Sequence, residues 1–314
     1  MNKGGLSLKI RKLCATIGKD VLLNRYVYFM LLPVLVYYIL FYYVPLYGAQ
    51  IAFRRFSAGL GILGSPWVGF QNFKDFFSSI YFLRLVRNTL AINILSVVFA
   101  FPAPIILALL LNEITFSPYK RFVQTITYMP HFISVIVIAG MILNFFARDG
   151  LINNILSLFS QGPRPNYMLE AGWFRPIYIA SDIWQHAGWG TIIYLSALSA
   201  IDPQLYEAAV IDGAGRFRQL IHVTLPGIAP TIIILFILRL GSMMTVGSEK
   251  ILLLYNANTF ETADVISTFV YRKGIMEMNF SYSAAVGLFN SIINFAILIT
   301  ANKISRSVSS TSLW

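Results

Sequence analysis

Apolar positions along this chain come in long blocks rather than in a simple helical or strand period. Six stretches contain no Asp, Glu, Lys or Arg: 26–53, 88–112, 122–147, 183–201, 219–238 and 278–302. They are 28, 25, 26, 19, 20 and 25 residues long. A helix crossing a bilayer needs roughly 20 mostly apolar residues, so each stretch is predicted as a span. The pattern predicts an all-α polytopic membrane protein with six transmembrane helices. Pro102 and Pro104 fall near the middle of the second span and Pro130 within the third. Each removes a backbone donor, so these helices are expected to kink.

Composition agrees and excludes other classes. Of 314 residues, 57% are hydrophobic and only 12% charged, against about 25% charged in a soluble domain. The single cysteine, Cys14, allows neither an internal disulfide nor a multi-cysteine metal site. His131, His186 and His222 lie far apart and show no metal-ligand spacing, so no metal is expected. The net charge of +11 comes without a dense basic run or a nucleic-acid-binding motif. Basic residues flanking apolar spans instead point to topology and anionic lipid.

Residues 1–25 carry Lys3, Lys9, Arg11, Lys12, Lys19 and Arg25 against Asp20 alone, which predicts a cytoplasmic N-terminus. Ile10, Leu13, Cys14 and Ile17 share a helical face, so this segment reads either as an interfacial helix or as a solvated tail. An even number of spans returns the tail 303–314, with Lys303 and Arg306, to the cytoplasm. The chain thus divides into a basic segment 1–25, a six-helix domain 26–302 and a short tail. The full charge count is less tidy: the inner segments hold 12 Lys and Arg, the outer ones 11. Arg54, Arg55, Arg84 and Arg87 are the outer residues that weigh most against the rule. The outer loop 54–87 is Gly/Pro-punctuated from Gly59 to Pro66, and WVGFQNFKDFF after it predicts a short helix.

The inner loop 201–231 reads IDPQLYEAAVIDGAGRFRQLIHVTLPGIAPT. Asp202 followed by Pro203 is an N-cap with proline at the first helical position. Leu205, Ala208 and Ala209 share one face, and Gly213 and Gly215 end or bend the helix. A second short helix, Arg216 to Val223, then leads to Leu225-Pro226 and the fifth span. Two short helices at a bend make a small, partly charged knob suited to a groove on a partner.

Glu207-Ala208-Ala209, then Gly213, then Val223-Thr224-Leu225-Pro226 resembles the EAA signature of importer-type ABC transporter permeases, with Val223 where isoleucine is usual. The fuller IDPxLYEAAxIDGA form is similar to the carbohydrate branch, the maltose permease pair included. LLPVLVYYILFYYVPLYGAQIAF, SPWVGFQNF, RNTL, FPAPIILALLLNE and YMPHFIS extend the resemblance over nearly the whole chain, toward permeases for complex oligosaccharides. The resemblance implies a type I importer permease fold in a bacterial plasma membrane. It also implies a second homologous permease, two cytoplasmic ATP-binding subunits and an external solute-binding protein that delivers an oligosaccharide. It further implies that Glu207, Ala208, Ala209, Asp212, Gly213 and Ala214 form the coupling contact with the ATPase. The chain has no GxxxxGK[ST] phosphate loop, so ATP and Mg²⁺ are expected on the partners and no catalysis or cofactor here.

Ionisable residues inside spans are costly and usually face a cavity or a partner. Asp182 and Arg239 sit at similar depth, each about seven residues from the outer end of its span, and are read as an intramembrane ion pair or as direct sugar contacts. Asp182, Gln185, His186 and Trp189 follow helical spacing on one face of span four. Amide, imidazole and a flat aromatic suit a sugar path, although the same residues also suit interhelical packing. Asn290 and Asn294 in span six are further path candidates. A secondary transporter working without ATP, or a membrane-embedded glycan-processing enzyme, are the alternatives. The first leaves the EAA loop without a role, and the second lacks a convincing carboxylate pair.

Overall fold

The computed structural model describes residues 20, 23–159, 162, 164–245, 247–308 and 312–313. The basic segment before Asp20 lies outside the described residues. The chain forms two compact units, Met1–Gly69 and Phe70–Trp314. Among the described residues there is no strand, only one isolated bridge.

In the first unit, α1 (Arg25–Phe53) is a 29-residue helix that coincides with the first uncharged stretch. Its side chains from position 25 to 47 are exposed, including aromatic and branched residues that water would not favour. Arg54 then turns extended and bridges Trp67. Its guanidinium donates to the carbonyls of Leu63 (3.1 Å) and Ser65 (2.8 Å) and lies 5.4 Å from the Trp67 ring centre. The Ser65 hydroxyl donates to the Gly61 carbonyl at 2.6 Å and accepts from the Ser57 amide at 3.0 Å. Arg54 is thus consumed in closing its own loop.

The second unit holds α2 (Gln71–Phe77), α3 (Phe82–Glu113), α4 (Ser117–Phe132) and α5 (Val135–Phe145). After them come α6 (Leu151–Ser157), α7 (Ala171–Ser199), α8 (Pro203–Ile211) and α9 (Arg216–Gly241). The chain ends with α10 (Ser248–Leu254), α11 (Phe260–Ala263), α12 (Ile266–Tyr271) and α13 (Phe280–Val308). Four described helices, α1, α3, α9 and α13, are long and apolar enough to cross a membrane, or five if the bent pair α4–α5 counts as one. The fourth predicted span lies in α7. At 29 residues α7 is long enough at about 1.5 Å per residue, but Asp182, Gln185 and His186 dilute its apolarity.

The prolines act differently from one another. At Pro130 the chain does more than kink: α4 and α5 meet at 98°, and Ser134 caps the new helix by accepting from the Val137 amide. At Pro102 the helix continues, and a π turn over Ser96–Ala100 precedes the ring, with the Phe101 amide reaching back five residues to Ser96. The same device precedes Pro45, where Val44 bonds to Ile39, and Pro226, where Leu225 bonds to Leu220. A proline cannot donate and its ring crowds the carbonyl four residues back; one wider turn relieves both without breaking the helix.

Helix α7 is the hub of this unit. A Cβ on Gly188 would come within 1.9 Å of the Thr127 carbonyl, so α4 crosses α7 backbone to backbone there. Gly190 admits the Pro104 ring of α3, which a Cβ there would meet at 2.9 Å. Ile177, Tyr178 and Phe174 of α7 pack with Ile92 of α3, Ile138 and Ile142 of α5, and Ile251 and Leu254 of α10. A separate core joins Phe76, Leu85, Ile266, Phe269 and Val286 at the α2, α3, α12 and α13 crossing.

Candidate functional site

Two features of the second unit carry candidate function, a polar cavity and the loop between α7 and α9. The cavity, of about 390 Å³, lies between α3, α7 and the end of α9. Asn93, Ser96 and Phe101 line it from α3, Tyr178, Asp182 and His186 from α7, and Arg239 from α9, with Thr245 and Gly247 closing one side. The 3.6-residue turn of α7 sets Tyr178, Asp182 and His186 one above another, which is why one face of this helix is polar.

The expected Asp182–Arg239 ion pair is not formed among the described residues. The Asp182 carboxylate instead faces His186 Nε2 at 3.7 Å, one helical turn away, where the i, i+4 geometry favours it. Asp182 and Arg239 do share the cavity, so the depth argument located both on one void. Other expected path residues are redistributed. Gln185 is buried and accepts from Lys250 Nζ at 3.5 Å, away from the lining. Trp189 stacks face to face on His131 (centroids 4.7 Å apart, planes 1° from parallel). His131 Nδ1 also lies 3.2 Å from His186 Nδ1, tying the α4–α5 bend to α7. Asn294 accepts from the Met244 amide (2.7 Å) and donates to Thr245 (2.9 Å), bracing the segment after α9. The Asn290 side-chain oxygen is buried without a partner among the described residues. Of the residues named from sequence, Asp182, His186 and Arg239 line the cavity, and Gln185, Trp189, Asn290 and Asn294 do not.

Sequence reasoning missed Asn93, Ser96, Tyr178 and Lys250. Asn93 and Ser96 are polar at i, i+3 within an uncharged span, which was a readable signal. Lys250 was counted as an outer-loop charge, yet it is 5% exposed and sits 5.3 Å from the Tyr178 ring centre. Burial pushes its ammonium below the ordinary lysine range, and the charge of Asp182 pulls it partly back.

A second charged cluster was also missed. Asp264 is fully buried, and Arg272 grips its carboxylate with two bonds of 2.8 and 3.2 Å. Arg84 adds a third at 3.2 Å and Thr268 a fourth at 3.0 Å. Burial works against the Arg272 charge, but its bonds to Asp264 and that carboxylate's charge outweigh it, so its pKa rises. Asn88 donates to the Asp264 carbonyl and accepts from Arg175, which also bonds the Thr262 carbonyl. Arg87 donates to the Glu261 carbonyl at 3.2 Å. The arginines at 84 and 87 that disturbed the charge count are therefore structural ligands of the α11–α12 segment.

The loop between α7 and α9 has the predicted cap and turn, but the expected separate short helix Arg216 to Val223 is the first part of α9, which runs on without a break through the π turn at Leu220–Thr224. The Asp202 side chain accepts from the Gln204 amide at 2.9 Å, and Pro203 opens α8. Gly213 has φ +73°, with Ala214 bonding the Ala209 carbonyl and Gly213 that of Val210. These paired bonds form a Schellman turn, and the positive φ favours glycine there. The Tyr206 hydroxyl lies 3.0 Å from Thr224 Oγ1, which ties α8 to the π turn at the start of α9. Glu207, Ala208 and Asp212 are exposed, as are Leu205, Val210, Ile211 and Phe217. Ala208, Ala209, Asp212 and Ala214 line a shallow hollow with Leu205 and Arg218. The result is an internally hydrogen-bonded knob with an apolar crown.

Comparison with known proteins places these features in context. The family described as "Binding-protein-dependent transport system inner membrane component" matches residues 100–310. Protein LplB of Bacillus subtilis (strain 168) is 44% identical over 291 residues, covering 93% of this chain and 92% of that one. The polygalacturonan/rhamnogalacturonan transport system permease protein YteP of the same organism is 44% identical over 283 residues, 90% and 88% of the two chains. A chain in the crystal structure of a bacterial alginate ABC transporter, in complex with an alginate pentasaccharide-bound periplasmic protein, superposes with TM-score 0.87 at 41% identity. The match covers 94% of this chain and 99% of that one.

Proposed function

This chain belongs to the family of inner membrane components of binding-protein-dependent transport systems, and from that premise we propose how it works as the permease subunit of an ATP-driven sugar importer. Six spans, α1, α3, α4–α5, α7, α9 and α13, cross a bacterial plasma membrane with both termini in the cytoplasm. A second, homologous permease completes the translocation path. Two cytoplasmic ATPases bind ATP and Mg²⁺, and an external binding protein delivers an oligosaccharide. The chain itself is non-catalytic.

The observation that carries this reading is the loop between α7 and α9. Its Asp202 cap, its Schellman turn at Gly213 and the Tyr206–Thr224 tie hold an exposed Glu207 and an apolar crown on a fixed stem. Exposed Leu205, Val210 and Ile211 on a rigid turn are costly in water and are relieved by a partner's cleft. Force applied there passes into α9 through the π turn at Leu220–Thr224 and so reaches the end of the helix that carries Arg239. A ligand-free loop needs none of this construction.

The test is co-purification followed by uptake. The chain should bring an ATPase with it from membranes, and Glu207→Ala should cut ATP-driven sugar uptake at least tenfold while the complex still assembles. A chain that brings no ATPase, or a Glu207→Ala variant with unchanged coupling, contradicts the proposal and reopens the reading as a secondary transporter.

A further inference from the structure

The cavity between α3, α7 and α9 holds an aspartate, a histidine and an arginine, and they are unequally satisfied. Asp182 has His186 at 3.7 Å. The Arg239 guanidinium has no side-chain or backbone acceptor among the described residues, although it lines the same void. An arginine cannot shed its charge to suit a low-dielectric setting, and its planar fork offers paired donors at the spacing of a carboxylate. A half-buried guanidinium left without an acceptor is costly, so the void favours an occupant that brings one. The rest of the lining excludes some occupants. Asp182 repels a polyanion of dense charge such as a phosphate chain, yet accepts from hydroxyls. Asn93 and Ser96 are neutral polar groups, and Tyr178 and Phe101 give flat apolar faces for C–H surfaces.

We propose that Arg239 is the specificity-determining residue for an acidic saccharide: it pairs with the carboxylate of a uronic acid unit while Asp182, across the cavity, accepts from that sugar's hydroxyls. This rests on the permease reading above and names the substrate class for it. A uronate unit carries both the anion and the hydroxyl donors that the two walls call for. A neutral sugar of the same length fills the void but leaves the guanidinium desolvated and unpaired. Sites built for a polar group reject the analogue that lacks it more strongly than apolar pockets reject a change of size. The names of two similar proteins, one for polygalacturonan and rhamnogalacturonan and one for alginate, fit the same chemistry.

The experiment uses the complete transporter in proteoliposomes with its binding protein and internal ATP. Uptake of trigalacturonate is compared with uptake of the same trisaccharide after reduction of its carboxyl groups. The readout is the ratio of the two rates within one preparation, so that loss of folded protein cancels. The binding protein is the same throughout, so a change of ratio belongs to this chain. Wild type should favour the acidic sugar, and Arg239→Gln should reduce that preference by about tenfold or more, the scale of one lost charge-assisted hydrogen bond. Arg239→Lys, which keeps a point charge but not the fork, should fall between the two. An unchanged ratio in both variants, or a wild type that prefers the reduced sugar, overturns the proposal and leaves the permease reading standing. If neither sugar moves with ATP in wild type while the chain still brings an ATPase from membranes, the acidic-saccharide proposal fails alone; if it brings none, the permease reading fails.

Discussion

The second unit carries two clusters of acid and arginine, and they are built in opposite ways. Around Asp264 the carboxylate is fully buried and saturated, with two arginines and a threonine on its two oxygens. Around Asp182 the carboxylate side chain is 23% exposed, its partner is a histidine at 3.7 Å, and the arginine sharing the cavity stands apart. The first arrangement leaves nothing for a ligand and pins α3 to the α11–α12 segment. The second leaves a void and an unmatched charge. Equal chemistry therefore gives a lock in one place and an opening in the other, and the difference lies in which elements bring the partners. Asp264 draws Arg272 from its own segment and Arg84 from α3. Asp182 has its nearest titratable neighbour, His186, on its own helix, and α9 holds Arg239 back.

The largest effect should come from breaking the lock. Asp264→Ala strands two partly exposed guanidinium groups against a fully buried site, and removing one partner of such a network costs up to about 3–5 kcal/mol. The solubilised protein should lose much of its thermal stability or fail to accumulate. Next is packing at the hub. Gly188→Ala places a methyl against the Thr127 carbonyl, and overpacking of this kind costs about 1–3 kcal/mol. A thermal melt reads that loss, and an unmoved melting temperature would show that α4 is free to retreat from α7. Smaller again is the Tyr206–Thr224 tie: Tyr206→Phe should cost about 1 kcal/mol and lower coupling efficiency more than sugar-free stability. The smallest effect belongs to Asp182 and His186, where a partly exposed pair contributes about 0.2–1 kcal/mol. A double-mutant cycle on stability should show coupling between Asp182→Asn and His186→Ala. The cycle of Asp182→Asn with Arg239→Gln should be additive within about 0.5 kcal/mol.

The blocks of apolar residues located the long helices because a bilayer imposes a length, and length survives in sequence. The Asp202 cap and Gly213 turn were legible for a similar reason: each depends on residues within a few positions. The fourth span shows where that logic runs thin. Its helix α7 is diluted by the same Asp182 and His186 that line the cavity, so the predicted span with the most cavity-lining polar side chains is the one whose apolarity falls short. Depth arithmetic brought Asp182 and Arg239 to one cavity but not to one bond, since residue counting gives height and not rotation about the helix axis. Arg84 and Asp264 are 180 positions apart, and nothing local signals their meeting. Arg84 weighs against the charge rule when it is counted as a loop charge; bonded to the buried Asp264 it is a structural ligand instead.

The contrast between the two clusters can be tested by removing one charge from each, Asp264→Asn and Arg239→Gln, and following melting temperature and trigalacturonate uptake together. The account predicts that Asp264→Asn lowers the melting temperature clearly, whereas Arg239→Gln leaves it within the error of the melt and lowers uptake of the acidic sugar about tenfold or more. A melting temperature that falls with Arg239→Gln while the acidic-to-reduced uptake ratio holds would contradict it, and would make Arg239 a structural charge like those around Asp264.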